Sequence, residues 1–393
     1  MLDEEGLDPT DPIFWFRSDA HDQVASLRRE SPVVQHATRN EGTIWSLFSY
    51  DAATVVLDDP EVFSSEGGSL LGTGPAAPPG VGQMMALTDP PRHRELRSPV
   101  MPFLSSKHVG GLKARVQQLA ESVVERAIEL GDVDFVRDVA SILPMEVMCD
   151  LMGVPSSDRH DVVAMCDSAF LGHTRDERSA GHLRLMGYLF ELALDRRRAP
   201  RHDIVSAVAT HRIHGELLPL EDVVLNCDNV LVGGVQTVRH AASMSLYTLV
   251  NHPGAWRALR EGADVDLAVE ELLRWTSVGS HTVRTTKRAA SVAGAQIPAG
   301  GRLVVWFTAA NRDEAVFAGA DELDLSRPNN RHLAFGAGLH YCIGAHLARL
   351  ELRMLLSELV RKLKTVEQTG SAVPNHSIID LGLESLPLKL SPE

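Results

Sequence analysis

Apolar residues recur every three or four positions over 112–130, 139–152, 182–197, 221–250 and 343–363, which predicts amphipathic helices that each turn one face to a core. Two β-prone runs, 33–37 and 43–48, flank Asn40-Glu41-Gly42 and predict a hairpin near the N-terminus, with a helix over 50–57 behind it. Shorter β-prone runs at 282–285, 291–297 and 303–307 interrupt the helical pattern, and 378–390 reads as a closing strand pair. Between 64 and 82, glycine and proline are too dense for a regular element, so this stretch is a linker or a lid. Helices outnumber strands and lie apart from them in sequence, which predicts a mainly α, α+β fold class. No internal repeat is visible.

With 393 residues, 44% of them hydrophobic, the chain can bury a large core, and length alone allows two or three domains. A formal net charge of −14 argues against nucleic acid or an anionic membrane as partner of the whole surface. The acidic N-terminus, residues 1–12, lacks the basic start and apolar run of a signal peptide, and no apolar stretch approaches the roughly 20 residues of a membrane span. A soluble, cytoplasmic monomer is expected. The four cysteines, Cys149, Cys166, Cys227 and Cys342, contain no Cys-x-x-Cys, so neither a structural zinc site nor a redox pair is suggested.

Cys342 differs from the other three. It lies in Phe335-Gly336-Ala337-Gly338-Leu339-His340-Tyr341-Cys342-Ile343-Gly344, ahead of the helix predicted over 343–363. Glycines at 336, 338 and 344 permit tight turns and close approach of backbone N–H groups to the sulfur, and the positive end of the following helix stabilises an anion there. A lone thiolate in such a setting can hold a haem iron and push electron density onto it; a packed structural cysteine is the alternative. The pattern Phe-Gly-x-Gly-x-His-x-Cys-x-Gly resembles the haem-binding loop of the cytochrome P-450 family, the haem-thiolate monooxygenases.

That resemblance implies one domain over 1–393, with 1–12 as a tail and 64–86 as a lid over the substrate pocket. It implies haem b and dioxygen, with Cys342 on the iron and Phe335 and Gly344 in the haem loop. His93, Arg97, Arg284 and His340 match the family's contacts to the haem propionates, anions whose burial calls for cationic donors. Glu271 and Arg274, one helical turn apart, match a buried pair behind the thiolate loop that Arg327 joins. Val232-Gly233-Gly234-Val235-Gln236-Thr237 resembles the distal helix crossing the oxygen-binding face. Its adjacent glycines cost roughly 1 kcal/mol each relative to alanine, which suggests close approach of something flat or small, or helix packing. Thr237 matches the threonine that helps deliver protons.

Gln236 departs from the family, which usually carries Asp or Glu before that threonine. An amide orients water but does not titrate. Proton delivery is therefore expected through Thr237 and water, and His240, one turn further on, is expected to be packed or solvated. By resemblance the pocket walls are Met84, Met85, Val235, Val278 and Leu383, with Ser280 and Thr282 as polar anchors for substrate. No Gly-x-G-type dinucleotide loop follows a strand. Electrons are expected from a separate ferredoxin or flavodoxin and its reductase, docking at Arg92, Arg94 and Arg331. The expected reaction is hydroxylation of a C–H bond of a small organic molecule. The Gly-Gly-x-Gln-Thr-x-Arg-His stretch is similar to one in natural-product tailoring members, some of which act on carrier-protein-tethered amino acids, and so points to secondary metabolism. Oxidative ring closure without oxygen insertion, and a haem-binding sensor without turnover, are the alternatives.

Overall fold

The structure is a computed structural model and describes residues 7–72, 78–171 and 174–393. The expected tail and lid thus fall partly outside it, at 1–6 and 73–77. Residues 7–12 do not form a loose tail: Leu7 is buried with Phe14 and Trp15, and the Trp15 indole donates to the Pro9 carbonyl at 3.2 Å.

Helix dominates. Each predicted helical stretch is present, as Lys113–Leu130, Ile142–Met152, Arg175–Arg198, Leu220–Asn251 and Ala345–Lys362. The helices Ala20–Glu30, Arg159–Leu171 and Pro253–Arg260 lay outside the periodic stretches. Leu220–Asn251, the helix expected to be distal, has 32 residues, and at 1.5 Å per residue it runs about 48 Å through the main core. It buries polar Asp222, Asn226, Asp228, Gln236, Arg239 and His240 alongside its apolar face. Groups of this kind enter a core only with partners or a ligand to meet.

The N-terminal hairpin, Val33–Thr38 with Gly42–Leu47, joins a five-stranded sheet by parallel pairing of Gly42–Leu47 with Arg302–Trp306. Arg302–Trp306 then pairs antiparallel with His281–Thr286, setting Leu303 opposite Arg284, and Phe63–Ser64 closes the edge. Every residue of Arg302–Trp306 is buried, as a central strand covered on both faces requires. Apolar clusters on each side of this sheet are separate from the large helical core.

Two strand expectations are corrected. The run at 291–297 is itself a hairpin, Ala290–Val292 with Ala295–Ile297, turned by Ala293 and Gly294, both at positive φ. The 378–390 run does not pair with itself. Leu383–Ser385 pairs with Val373–Pro374, while Pro387–Pro392 lies between Leu363–Gln368 and Asp132–Asp134. Hydrophobic alternation marks a strand without naming its partner.

Candidate functional site

Cys342 lies at the end of a loop held by its own backbone. Its N–H donates to the Phe335 carbonyl at 2.9 Å. Gly336 and Gly338 have φ of 68° and 65°, and a Cβ on Gly338 would come within 2.3 Å of the Leu57 carbonyl oxygen. Glycine is thus required there by conformation and by space. The helix begins at Ala345, two residues later than expected, and the N–H groups of Gly344 and Ala345 face the sulfur. Burial pushes the thiol pKa up, and these N–H groups with Arg97 and Arg349 only partly oppose it. The side chain is nonetheless accessible.

Four cationic or ionisable side chains gather near it. His93 and His340 lie with ring centroids 4.3 Å apart and planes tilted by 49°, and Ser65 Oγ lies 3.1 Å from His340 Nε2. Arg97 donates to the Tyr341 carbonyl at 2.6 Å. Arg284 donates to Thr282 Oγ1 at 3.0 Å and the Val283 carbonyl at 2.8 Å. Among the described residues no carboxylate forms an ion pair with Arg97 or Arg284, and both ring nitrogens of buried His93 lack a hydrogen-bond partner. Asp89 is engaged with Ser64, Ser65 and Lys287. Burial and neighbouring cations drive His93 down to about 4 and His340 to about 3, and burial brings Arg284 to about 10. A set of donors, buried at His93 and Arg284 and half-buried at Arg97 and His340, with no ion-paired carboxylate among the described residues, fits the carboxylates of a haem. Among the described residues no three His, Cys, Asp or Glu side chains converge on a metal position, so a metal at Cys342 would take its other ligands from a cofactor.

Across the distal helix, Gly233 and Thr237 are exposed while Val235, Gln236 and Val238 are buried. Nothing lies within 4 Å of a Cβ placed on Gly233, whereas one on Gly234 would meet Met148 Sδ at 2.6 Å. The two glycines therefore differ. Gly233 borders open space, but Gly234, expected against the cofactor, serves packing on the Ile142–Met152 helix. Thr237 Oγ1 donates to the Gly233 carbonyl at 2.8 Å, which leaves its lone pairs free to accept. The Gln236 side chain makes no hydrogen bond among the described residues.

Behind the loop, the Val265–Thr276 helix presents Glu271 and Arg274, both fully buried and bidentate at 2.7 and 2.8 Å. Arg327 reaches Glu271 at 3.0 Å, and the Asn330 side chain and Asp324 N–H each donate to it at 2.9 Å. Arg274 also holds the Asn311 and Ala320 carbonyls at 2.8 and 2.9 Å. A second tie escaped the sequence reading. Glu270 bonds His332 at 3.0 Å and Arg349 at 2.6 Å, and Arg349 lies over the Phe335 ring at 4.5 Å. Burial raises the Glu270 pKa, but His332 and Arg349 outweigh it and bring it to about 2. Adjacent Glu270 and Glu271 were the available signal.

Several expected pocket residues are otherwise engaged. Ser280 Oγ donates to the Ile378 carbonyl at 2.8 Å, and Thr282 Oγ1 donates to the Ser69 carbonyl at 3.0 Å while accepting from Arg284. Neither hydroxyl is left as a substrate anchor. Val278, Leu383, Met85 and Val235 are buried, and Met84 is half-buried. The end of the expected lid is bolted to the distal helix. Asn226 accepts from Met85 N at 2.9 Å and donates to the Gln83 carbonyl at 2.7 Å, and Gln83 donates to Asp222 at 3.1 Å. Arg92, expected in a docking patch, pairs with the same Asp222 at 2.6 Å, whereas Arg94 and Arg331 are exposed. No helix among the described residues is long and apolar enough to cross a membrane.

Comparison with known proteins agrees with this geometry. A family model described as Cytochrome P450 matches residues 265–391. Cytochrome P450 NovI of Streptomyces niveus is 32% identical over 98% of this chain and 97% of its own. Linalool 8-monooxygenase of Pseudomonas putida is 31% identical over 99% and 100%. The crystal structure of P450 OxyD, involved in the biosynthesis of vancomycin-type antibiotics, superposes with a TM-score of 0.90 at 33% identity, covering 98% of this chain and 100% of the other.

Proposed function

The chain belongs to the cytochrome P450 family of monooxygenases, and on that premise we propose that it hydroxylates a C–H bond of a small organic substrate in bacterial secondary metabolism. Haem b is the cofactor of this reading, and a ferredoxin or flavodoxin with its reductase supplies the electrons in the cytoplasm. The observation that carries it is the pairing of an accessible Cys342 with a cluster of donors, His93, Arg97, Arg284 and His340, whose two arginines have no ion-paired carboxylate among the described residues. Bound here, haem supplies the activation of dioxygen.

The chain's own residues then have separate tasks. Cys342 Sγ is the iron ligand, and the N–H groups of Gly344 and Ala345 stabilise its negative charge. His93, Arg97, Arg284 and His340 hold the carboxylates. Glu271, Arg274 and Arg327 keep the loop in place. Gly233 leaves room over the distal face. Thr237 accepts from and orients water, because its own proton is committed to Gly233. Gln236 orients water without titrating.

The OxyD structure, named for antibiotic biosynthesis, supports the metabolic setting, and a carrier-tethered amino acid is the finer form of the proposal. Gln236 favours one second reading, oxidative coupling or ring closure without oxygen insertion. The test is to reduce the protein under carbon monoxide, then supply NADPH with a surrogate ferredoxin system and ¹⁸O₂ and search for labelled product. A thiolate-type carbonyl spectrum with label in product is expected. A thiolate spectrum with oxidised but unlabelled product would favour ring closure, and haem binding without NADPH consumption would make the chain a binder or sensor.

A further inference from the structure

The distal helix carries an arginine and a histidine just beyond Thr237 that the reaction outlined above does not use. Arg239 and His240 are buried, and Arg239 Nη2 donates to His240 Nε2 at 3.0 Å. Nε2 therefore carries a lone pair, and Asp380 Oδ2, on the turn before Leu383–Ser385 and 3.4 Å from that nitrogen, is held by its attraction to the Arg239 charge and not by the ring. His240 is wedged against that turn, since a Cβ on Gly382 would come within 1.9 Å of its Nδ1. Charge around Arg239 comes from three further elements, Asp380 on the turn, Asp167 on the Arg159–Leu171 helix and Glu384 in the following strand.

The turn is held on its other side too. Leu381 N donates to the Val278 carbonyl at 2.7 Å, and Ser280 Oγ donates to the Ile378 carbonyl at 2.8 Å. Ser280 Oγ also lies 2.8 Å from His281 Nδ1, while His281 Nε2 lies 2.9 Å from Leu71 N. The tautomer follows from these partners. A backbone N–H can only donate, so Nε2 carries the lone pair, Nδ1–H donates to Ser280 Oγ, and the serine proton goes to Ile378. Burial keeps His281 neutral, at about 3, consistent with this assignment. Leu71 belongs to the lid segment, and a Cβ on neighbouring Gly72 would lie 3.9 Å from Ile378. A path of contacts, buried at Ser280, His281, Leu71 and Gly382 and half-buried at Ile378 and Asp380, thus joins the distal helix to the lid through the 377–382 turn.

We propose that Arg239, His240, Asp380, Ser280 and His281 are one positioning unit that locks the 377–382 turn and the lid near Leu71 to the distal helix, so that lid and pocket wall are set together. The unit is a specificity determinant. A ligand that displaces Leu71 removes the partner that His281 Nε2 has among the described residues and, through Ser280, loosens the turn beside Val278 and Leu383. The bearing on substrate choice rests on the haem-monooxygenase reading; the mechanical coupling does not.

Hydrogen–deuterium exchange on the purified full-length protein tests the coupling without reference to turnover. His281→Ala should speed exchange about tenfold at both 69–72 and 378–382, and His240→Ala should do the same at both. Faster exchange confined to the segment adjoining each substitution would overturn the proposal. Gly382→Ala gives a second measurement, because its methyl group meets the His240 ring. It should weaken binding of 4-phenylimidazole about fivefold by optical titration, while Gly382→Ala/His240→Ala should match His240→Ala alone. Unchanged binding in Gly382→Ala, or additive losses in the double variant, would also overturn it. The ferrous carbonyl spectrum of each variant reports thiolate ligation separately, so failure of the haem reading is distinguishable from failure of the coupling.

Discussion

In the proposed reading, an amide at Gln236 and a glycine at 233 set the chemistry of the distal side one residue at a time. Gln236→Glu places a titrating group in a buried position one turn from His240. We expect coupling of NADPH consumption to product to be preserved or raised, and a collapse of coupling would give the amide a positive role. The two glycines separate packing from ligand space. Gly233→Ala gains helix propensity of about 1 kcal/mol, so the haem-free protein should unfold at higher denaturant while haem binding weakens. Gly234→Ala drives a methyl group onto Met148, which is itself buried. It should be less stable than Gly233→Ala by about 1–3 kcal/mol, measured by urea unfolding. Equal stability of the two variants would contradict their different surroundings.

Between elements, buried ion pairs do the positioning. Glu271→Ala leaves Arg274 and Arg327 buried without their carboxylate. Such a loss costs about 3–5 kcal/mol, and the variant should be recovered with little haem, as should Arg274→Ala. Recovery of fully haem-loaded protein would refute that role. Glu270 links the same helix to His332 and Arg349 with a carboxylate near 2, against an ordinary value of 4.5. Because the folded state holds this group ionised more readily than the unfolded chain, its stabilisation is complete above pH 4.5 and disappears as the pH falls toward 2. Wild type should exceed Glu270→Gln by about 1–2 kcal/mol at neutral pH, allowing for solvent screening. Urea unfolding from pH 7 to 3 should show the gap narrowing, and a gap independent of pH would show that packing, not charge, accounts for it.

For the whole molecule, the net charge of −14 conceals where basic residues are free. Arg92 is tied to Asp222, leaving Arg94 and Arg331 exposed for an acidic electron donor. Raising salt from 0.05 to about 0.5 M should slow ferredoxin-driven turnover severalfold and leave azole binding unchanged, because surface attraction is screened and the buried site is not. Arg94→Glu should reproduce the slowing at low salt.

What was legible in the chain follows from distance along it. The Cys342 loop could be read because its glycines, sulfur and helix start lie within ten residues, where backbone conformation alone imposes the pattern. The long helices could be read for the same reason, since their period is local. The Glu270–Arg349 bridge, the His240–Asp380 contact and the path from His281 to Leu71 join residues 79, 140 and 210 positions apart. Nothing local requires them, so Ser280 and Thr282 looked available for substrate and Arg92 for a partner. The pairing of the last strands was hidden likewise, because alternation sets a face and leaves the neighbour open. By itself, then, the sequence determined the family, the loop on which an iron ligand is proposed and most of the elements around it. Only the tertiary structure decided which polar side chains remain free to meet a cofactor and which are consumed holding the chain together, because a hydrogen bond is made by proximity in space.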